Sequence, residues 1–308
     1  MTNNIFNENY PGYKFIKDLR PQLSARVKTG LYSDNRKHKV VIKNWQGKIK
    51  DISYLNLKSE TNSLASLNSI YDREYSKLPQ SLKFVKIPKI YQTKNSLNQL
   101  TLISEYKAGK PLSDVKSVKS QHKFYRQVLS FLDFLSKKAT PREIKLLRRK
   151  TLPHYLCIFP LIWITAVIQN IKLFPLLLKV LPIYLITGLS NLDQTRTQIV
   201  HGDLNFKNVL VSQKEISLID CEQTCFTFPE FELASSISAL NTPQSFKDYI
   251  IKTIISKSRK SQIKKNQLTF ALLNCHLHNL TWHAPAVYVE WYKKQLYFAL
   301  DMYINKYV

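Results

Sequence analysis

The chain has 308 residues, of which 44% are apolar and only six are glycine, so it can bury a sizeable core and is not a glycine-rich or disordered protein. Its formal net charge of +25 limits strong partners to anions: nucleic acid, anionic lipid headgroups or phosphorylated compounds. The lysines are spread along the whole chain, and no RNA-recognition, zinc-finger or helix-turn-helix signature accompanies them, so a nucleic-acid role is disfavoured.

The four cysteines, Cys157, Cys221, Cys225 and Cys275, include no C-x-x-C pair, which is typical of a reducing compartment rather than of a disulfide framework. The N-terminal stretch MTNNIFNENYPGYKF lacks the basic and apolar regions of a secretory signal. Both features predict a cytoplasmic protein.

The first third of the chain, residues 13–105, predicts the order strand, strand, helix, strand, strand. The runs ARVKTGLYS and KHKVVIKNW flank a polar turn at residues 34–36, and KIPKIYQ and QLTLISEY form the second pair of strands. Between the two pairs, apolar residues recur at helical spacing within SYLNLKSETNSLASLNSIY, namely Leu57, Leu64, Leu67 and Ile70.

Helical periodicity dominates after residue 105. In VKSQHKFYRQVLSFLDFLSKK one helix face carries the apolar residues Phe124, Val128, Phe131, Leu132 and Leu135. Two clear strands follow, Val209–Val211 and residues 216–219, and residues 246–308 predict further helices. The chain is therefore predicted to be bipartite, with a sheet lobe at residues 1–105 and a helical lobe at residues 106–308.

Large apolar side chains dominate residues 152–189, which follow the basic run KKATPREIKLLRRK. A membrane span needs roughly 20 mostly apolar residues, whereas the best uninterrupted run, residues 155–168, is shorter and contains Pro160. The first interpretation is a pair of core helices. The second is peripheral attachment of residues 137–189 to an anionic membrane surface, and the third is a true span.

The densest group of polar residues lies in HGDLNFKNVLV, residues 201–211, directly before a buried strand. Asp203 and Asn208 are five residues apart, and Asp220 follows the two short strands. Phosphoryl transfer from ATP uses this set of groups: one carboxylate orients the attacking hydroxyl, while an amide oxygen and a second carboxylate hold Mg²⁺. A hairpin of the two strands would fix Asn208 relative to Asp220.

HGDLNFKNVLV followed by ISLIDCE resembles the catalytic and metal-binding segment of the aminoglycoside phosphotransferase and choline kinase-like family, which are small-molecule kinases with a protein-kinase-like fold. Gly202 stands where protein kinases have arginine, Cys221-Glu222 replaces Phe-Gly, and no A-P-E segment follows. The resemblance covers about residues 13–240. It implies that Asp203 orients or deprotonates the hydroxyl and that Asn208 and Asp220 bind Mg²⁺.

Two further residues of the motif receive supporting roles from this resemblance. His201 is expected to brace the catalytic loop by hydrogen bonding. Lys207 is expected to contact the substrate or the γ-phosphate, with a purely solvent-facing position as the alternative.

The resemblance also assigns the nucleotide-binding lobe. Lys43, at the end of KVVIK, matches the lysine that holds the α- and β-phosphates, and Glu60 matches the helix glutamate that pairs with it, with Glu74 as a competitor. Glu105 falls at the hinge between the lobes, where backbone groups would meet adenine. Two departures stand out: residues 18–24 contain no glycine to clamp the phosphates, and PEFELA has Glu232 where aspartate is usual.

The expected fold is thus α+β and two-lobed like protein kinases, with a small N-terminal antiparallel-sheet lobe containing one helix and a larger, mainly helical C-terminal lobe. The expected activity is transfer of the γ-phosphate of Mg-ATP to a hydroxyl of an amino-alcohol, sugar, antibiotic or lipid-linked glycan. One alternative is a kinase-like scaffold with weak or no catalysis, which the missing glycines favour. Another is a basic nucleic-acid-associated protein, supported by charge alone. The expected location is the cytoplasm, including the inner face of a membrane.

Overall fold

The computed structural model describes residues 10–19, 27–189, 197–239, 242–256, 261–282 and 286–304. The chain forms two compact units that alternate along the sequence. The first, here the sheet unit, comprises Met1–Val115, Lys123–Arg148 and Asn208–Thr224. The second, the helical unit, comprises Lys116–His122, Arg149–Lys207 and Cys225–Val308. Each unit combines several separate stretches of the sequence, so this division does not test a single boundary between residues 105 and 106. The predicted lobes 1–105 and 106–308 stay a prediction.

The sheet unit is built on one antiparallel sheet of five strands in the order β1-β2-β3-β6-β5. These strands are β1 (Tyr13–Asp18), β2 (Val27–Asp34), β3 (Lys39–Gln46), β5 (Ile90–Asn95) and β6 (Gln99–Glu105), with the two-residue β4 (Val85–Lys86) between β3 and β5 in sequence. The central β3 pairs with β2 on one side and β6 on the other. The two predicted strand pairs are confirmed, and β1 precedes them.

Helix α1 (Ile52–Glu74) is attached to β3 by a shared cap. The Asp51 carboxylate accepts hydrogen bonds from the Tyr54 backbone N–H at 3.0 Å and from the Trp45 indole N–H at 3.0 Å, which satisfies a first-turn donor that has no partner within the helix. The predicted apolar face is confirmed, since Leu57, Leu64, Leu67 and Ile70 are all at most 2% exposed.

The next two helices carry a polar cluster that also involves α1. They are α2 (Val118–Lys138) and the short α3 (Pro141–Leu146), which begins with a capping box between Thr140 and Glu143. On α2 four residues of the predicted apolar face are at most 1% exposed, namely Val128, Phe131, Leu132 and Leu135, whereas Phe124 is only half-buried and its neighbour Tyr125 is 1% exposed. The Glu143 carboxylate also accepts hydrogen bonds from Arg73 and Ser69 of α1, so α3 is tied to α1 inside the sheet unit.

A second, smaller sheet of the sheet unit contains β10 (Val209–Val211) and β11 (Ile216–Leu218), the two strands predicted after the polar motif. Its order is β4-β11-β10-β7, where β7 is Lys110–Pro111. All six residues of β10 and β11 except Leu210 are buried. A buried hairpin therefore separates Asn208 at its start from Asp220 just beyond its end.

Within the described ranges, the helical unit contains six α-helices, α4 to α9, and a sheet of three short strands. The helices are α4 (Leu152–Gln169), α5 (Phe174–Leu189), α6 (Glu230–Ser238), α7 (Gln244–Ser256), α8 (Ser261–Trp282) and α9 (Ala286–Ile304). After the two-residue β8 (Arg148–Arg149), strands β9 (Gln198–Val200) and β12 (Cys225–Thr227) pair antiparallel. Both were missed from sequence, because each depends on pairing with a strand that is distant in the chain.

The apolar segment forms α4 and α5. By length and composition alone, Leu152–Gln169 and Ile171–Leu189, which includes α5, could each cross a membrane. One side of each helix packs into the helical unit. Phe159 stacks on Tyr184 with ring centroids 3.9 Å apart, and the Tyr184 hydroxyl donates to the Asn274 side chain of α8 at 3.1 Å. The first interpretation, a pair of core helices, therefore accounts for the inward side of α4 and α5.

We predict that Glu143→Gln lowers the free energy of unfolding by about 1–3 kcal/mol near pH 7 because the buried carboxylate and its partners lose charge-assisted hydrogen bonds. Burial by itself raises the pKa of Glu143, but hydrogen bonds from Arg73, Thr140 and Ser69 outweigh it and lower this pKa from 4.5 to about 2. The contribution is therefore present above pH 4.5 and lost as pH falls towards 2.

Urea denaturation of parent and variant between pH 7 and pH 3 measures this difference. The control is Glu290→Gln, which changes an exposed carboxylate of α9 that pairs with Lys293. A parent-minus-variant difference that stays constant as pH falls would contradict the prediction.

Candidate functional site

A lysine and two carboxylates form the central cluster of the sheet unit. The Lys43 ammonium, on β3, donates to both Glu60 carboxylate oxygens of α1 at 2.7 and 2.6 Å. It also lies 3.3 Å from the Asp220 carboxylate. Lys43 is 9% exposed and Glu60 5% exposed, so these charges are largely removed from water and depend on each other. The structure thus brings together three residues that are 17 and 177 positions apart in sequence.

Asp220 is held by the β10–β11 hairpin and by an uncommon backbone conformation. The Ile219 N–H donates to the Asn208 carbonyl at 3.0 Å, which extends the hairpin by one pair beyond Val209 and Leu218. Asp220 itself has φ 62° and ψ 55°, in the left-handed region that non-glycine residues rarely adopt. Such a conformation costs free energy and is found preferentially at functional sites. Here it turns the chain from β11 into the short 3-10 helix Cys221–Gln223.

Glu222 joins the same cluster, although the motif analysis assigned it no role. One carboxylate oxygen each of Glu60, Asp220 and Glu222 lies within 4.8 Å of the others. Carboxylate oxygens with a nearby asparagine are hard ligands of the type that Mg²⁺ prefers, so the donor set fits a divalent cation. The D-x-E spacing of Asp220 and Glu222 was the signal that could have identified this residue.

The polar motif itself starts at the end of β9, in the helical unit. Gly202 has φ 77°, a value at which a side chain would be strained, and it turns the chain out of the strand. Asp203 and Asn205 are joined twice: the Asn205 N–H donates to the Asp203 carbonyl at 2.8 Å and its side-chain amide donates to the Asp203 carboxylate at 3.0 Å. The Lys207 N–H donates to the Asn205 side chain at 2.9 Å, and Lys207 is exposed.

Glu232 of α6 holds the start of this loop from inside the helical unit. Its carboxyl is 1% exposed and accepts hydrogen bonds from the backbone N–H groups of His201 and Gly202. The Ser236 hydroxyl, one turn further along α6, donates to the Leu204 carbonyl at 2.7 Å. Sequence reasoning noted Glu232 only as a departure in PEFELA; its contact with the HGD segment depends on tertiary packing.

The remaining predicted residues have other neighbours. Glu105, at the end of β6, uses its N–H to donate to the Lys89 carbonyl at 2.8 Å, and its carboxylate pairs with Lys107 at 2.8 Å. Its own N–H is therefore not available to a base. Glu74, the competitor of Glu60, pairs with Arg73 and Lys77. The glycine-free loop predicted at residues 18–24 lies outside the described residues from residue 20 onward.

Comparisons with known proteins agree with this geometry. The model of a family described as the phosphotransferase enzyme family matches residues 71–249, more than half of the chain. No curated protein matches the sequence.

Solved structures share the fold at low sequence identity. A microcompartment-associated aminopropanol kinase has a TM-score of 0.61 at 16% identity, with 96% of this chain and 91% of that chain covered. A thermostable mutant of the aminoglycoside phosphotransferase APH(4)-Ia has a TM-score of 0.60 at 13% identity, covering 96% and 95%. Spectinomycin phosphotransferase APH(9)-Ia, in complex with ADP and spectinomycin, has a TM-score of 0.57 at 12% identity, covering 96% and 89%. The predicted α+β fold of the protein-kinase type is confirmed.

We predict that Lys43→Met destabilises the protein by about 3–5 kcal/mol, because it leaves the buried Glu60 carboxylate without its cation. The control, Lys39→Met, removes an exposed lysine from the same strand and should change stability by less than about 0.5 kcal/mol. Denaturant midpoints measure both variants. Equal losses in the two variants would show that Lys43 and Glu60 are not strongly coupled.

A second prediction concerns pH and Glu232. Burial, together with the nearby Asp203 charge, raises the pKa of Glu232 to about 8 although the N–H groups of His201 and Gly202 lower it. Since the unfolded carboxyl ionises near pH 4.5, its contribution to stability is complete below that value and is lost as pH rises towards 8.

Glu232→Gln cannot ionise, so the parent-minus-variant difference in unfolding free energy should fall by up to about 1.4 kcal/mol per pH unit between pH 5 and 8. Urea titrations at several pH values check this slope. Taking the difference cancels other titrating groups, including His276, whose burial lowers its pKa to about 3. A flat difference would mean that Glu232 is ionised in the folded protein throughout this range.

Proposed function

Because the chain belongs to the phosphotransferase enzyme family, we propose that it transfers the γ-phosphoryl group of ATP, with Mg²⁺, to a hydroxyl of a small molecule. The observation that carries this proposal is the partly buried cluster of Lys43, Glu60 and Asp220, joined by Glu222. This cluster combines a cation that can bind phosphate oxygens with a set of carboxylates that can bind a divalent metal. Phosphoryl transfer requires both, whereas an ion pair with a purely structural role would not need the additional carboxylates.

In this proposal Lys43 grips the α- and β-phosphates, and Glu60 keeps its ammonium in place with two hydrogen bonds. Glu105 marks the segment whose backbone faces the adenine. Nucleotide binding within this fold is supported by the spectinomycin phosphotransferase, whose structure contains ADP. Positioning of this kind supplies most of the catalysis in phosphoryl transfer, since little covalent chemistry is asked of the protein.

Asp220 and Asn208 are the proposed Mg²⁺ ligands, with Glu222 available beside Asp220. Bound Mg²⁺ would neutralise charge on the phosphates. The chain's own contribution is to hold the ligand oxygens rigidly. The hydrogen bond from the Ile219 N–H to the Asn208 carbonyl and the left-handed backbone conformation of Asp220 fix the backbone positions from which the Asn208 and Asp220 side chains extend.

Asp203 is the proposed catalytic carboxylate. The acceptor oxygen forms a bond to the γ-phosphorus, the bond from that phosphorus to the β,γ-bridging oxygen breaks, ADP leaves, and the hydroxyl proton passes to Asp203. The Asn205 amide orients the Asp203 carboxylate, and His201 supports the loop through its N–H bond to Glu232. Lys207, exposed beside this loop, is proposed to contact the acceptor or the γ-phosphate.

In this proposal the helical unit, which carries Asp203, also binds the acceptor. We propose an amino-alcohol, sugar, antibiotic or lipid-linked glycan; the similar structures include a kinase of aminopropanol and a phosphotransferase holding spectinomycin. We also place the protein in the cytoplasm, where ATP is available and where the free thiols of Cys157, Cys221, Cys225 and Cys275 stay reduced.

Two variants separate nucleotide binding from catalysis. Excess Mg-ATP should raise the melting temperature of the parent, since a ligand that binds only the folded state stabilises it. Asp220→Asn should lose most of this rise. Asp203→Asn should keep it but transfer phosphate to an acceptor, found by screening hydroxyl compounds with labelled ATP, at least about 100-fold more slowly.

The matched control is Asp301→Asn, an exposed aspartate of α9, which should behave like the parent in both assays. If the parent shows no Mg-ATP-dependent rise, the scaffold alternative replaces the proposed activity. If Asp203→Asn transfers phosphate as fast as the parent, the assigned role of Asp203 is wrong.

A further inference from the structure

Helices α4 and α5 expose an unusual amount of apolar surface on the side away from the core. We call this surface the α4–α5 apolar face; its large exposed residues are Leu161, Ile164, Ile168, Ile171, Phe174, Leu178, Leu185, Ile186 and Leu189. Leu161 and Ile168 are 71% and 73% exposed, values ordinarily seen for charged side chains. A run of such residues on two consecutive helices marks an interaction surface rather than scattered exposure.

The spacing of these residues shows a coherent face. On α4, residues 161, 164 and 168 follow the i, i+3, i+7 pattern, and the opposite side buries Tyr155, Phe159, Ile162 and Ala166. Both sides of α4 are therefore apolar. A surface helix that faced water would carry charged residues on its outer side, and α4 contains none at any position.

The hairpin is part of the rigid helical unit, which limits how it can meet a partner. The Trp163 indole N–H donates to the Leu177 carbonyl at 3.3 Å, joining α4 to α5. Phe270 of α8 packs against Gly188, where an added Cβ would lie 3.0 Å from the ring. Because the inner side of α4 and α5 packs against protein, only their outer side can contact lipid. In this arrangement the two helices are not surrounded by lipid on all sides.

The charges along this part of the helical unit's sequence have one sign. No aspartate or glutamate occurs between residues 149 and 192, whereas the segment contains Arg149, Lys150, Lys172 and Lys179. Lys172 and Lys179 lie within the hairpin itself and are exposed. Apolar side chains bordered by lysine and arginine, without acids, match the chemistry of an anionic lipid surface.

We propose that the α4–α5 apolar face binds peripherally to the surface of an anionic lipid bilayer, inserting its leucine and isoleucine side chains roughly 5–10 Å deep at the headgroup–acyl boundary. Lys172 and Lys179 then lie at the level of the headgroups. A second copy of the chain fits this face less well, because a symmetric dimer would bring together two faces that each carry the like charges of Lys172 and Lys179.

Vesicle flotation tests the proposal with the full-length protein and without nucleotide. Binding should be seen with phosphatidylglycerol-containing vesicles, weaken with added salt, and be much weaker with phosphatidylcholine alone. Leu161→Glu/Ile168→Glu should weaken binding roughly tenfold or more, since it removes two apolar contacts and adds two like charges to the bilayer. Lys172→Ala/Lys179→Ala should weaken binding chiefly at low salt.

The matched control is Ile49→Glu/Leu97→Glu, which makes the same change at sites 78% and 79% exposed in the sheet unit and should bind like the parent. Melting temperatures of both glutamate pairs should stay near that of the parent, because no buried side chain changes.

Three results would overturn the proposal: no binding to anionic vesicles at low salt; equal weakening by both glutamate pairs, which indicates diffuse charge attraction; or a dimer in sedimentation velocity without lipid that Leu161→Glu/Ile168→Glu dissolves. Because the assay needs neither ATP nor an acceptor, its failure leaves the proposed phosphotransferase activity intact, and loss of that activity leaves the membrane proposal intact.

Discussion

The ion pair between Lys43 and Glu60 is the interaction on which the sheet unit depends. An ammonium group that is almost removed from water must be met by carboxylate oxygens, and Glu60 supplies two of them at 2.7 and 2.6 Å. This requirement determines how α1 lies against the central strand β3. The same ammonium lies 3.3 Å from Asp220, so the end of the β10–β11 hairpin is brought to the same point.

A corresponding constraint operates inside the helical unit, where the motif loop is held by a carboxyl group rather than by an ammonium. Glu232 is buried and accepts hydrogen bonds from the backbone N–H groups of His201 and Gly202, directly after β9 ends. The cost of burying this group appears as a raised pKa and not as an ion pair. Each unit thus uses one buried polar group, whose burial costs free energy, to position its residues of the proposed site: the Lys43 ammonium in the sheet unit and the Glu232 carboxyl in the helical unit.

The helices α4 and α5 show why composition alone left three interpretations open. Their residues are apolar on all sides, and an apolar helix can be buried in protein, lie on a membrane or cross one. Phe159 and Tyr184 pack one side of these helices into the core and against α8, as expected of core helices. The other side is exposed and carries Lys172 and Lys179, which is why we propose that it binds anionic lipid.

Local pattern and spacing were sufficient for a large part of the molecule. Strands β2, β3, β6, β10 and β11 and helices α1 and α2 have periodicities long enough, or turns distinct enough, to be predicted, and the order of Lys43, Glu60, Asn208 and Asp220 indicated the chemistry before any coordinates. These signals depend on neighbours in sequence, which the sequence displays directly. On α2, Phe124 was predicted to be in the core, whereas its neighbour Tyr125 is the buried residue. Two adjacent aromatic residues give no local signal that shows which of them faces the core.

Tertiary structure decided what depends on distant partners. The short strands β9 and β12 depend on pairing between residues 25 positions apart in the chain, with Cys225 opposite Val200. Glu222 joins Asp220 and Glu60, and Glu232 reaches the HGD segment, through packing that no local pattern records. The sequence by itself determined the class of chemistry and the residues able to perform it. Only the folded chain decided which buried groups hold those residues and which apolar surface remains exposed, because both follow from long-range burial.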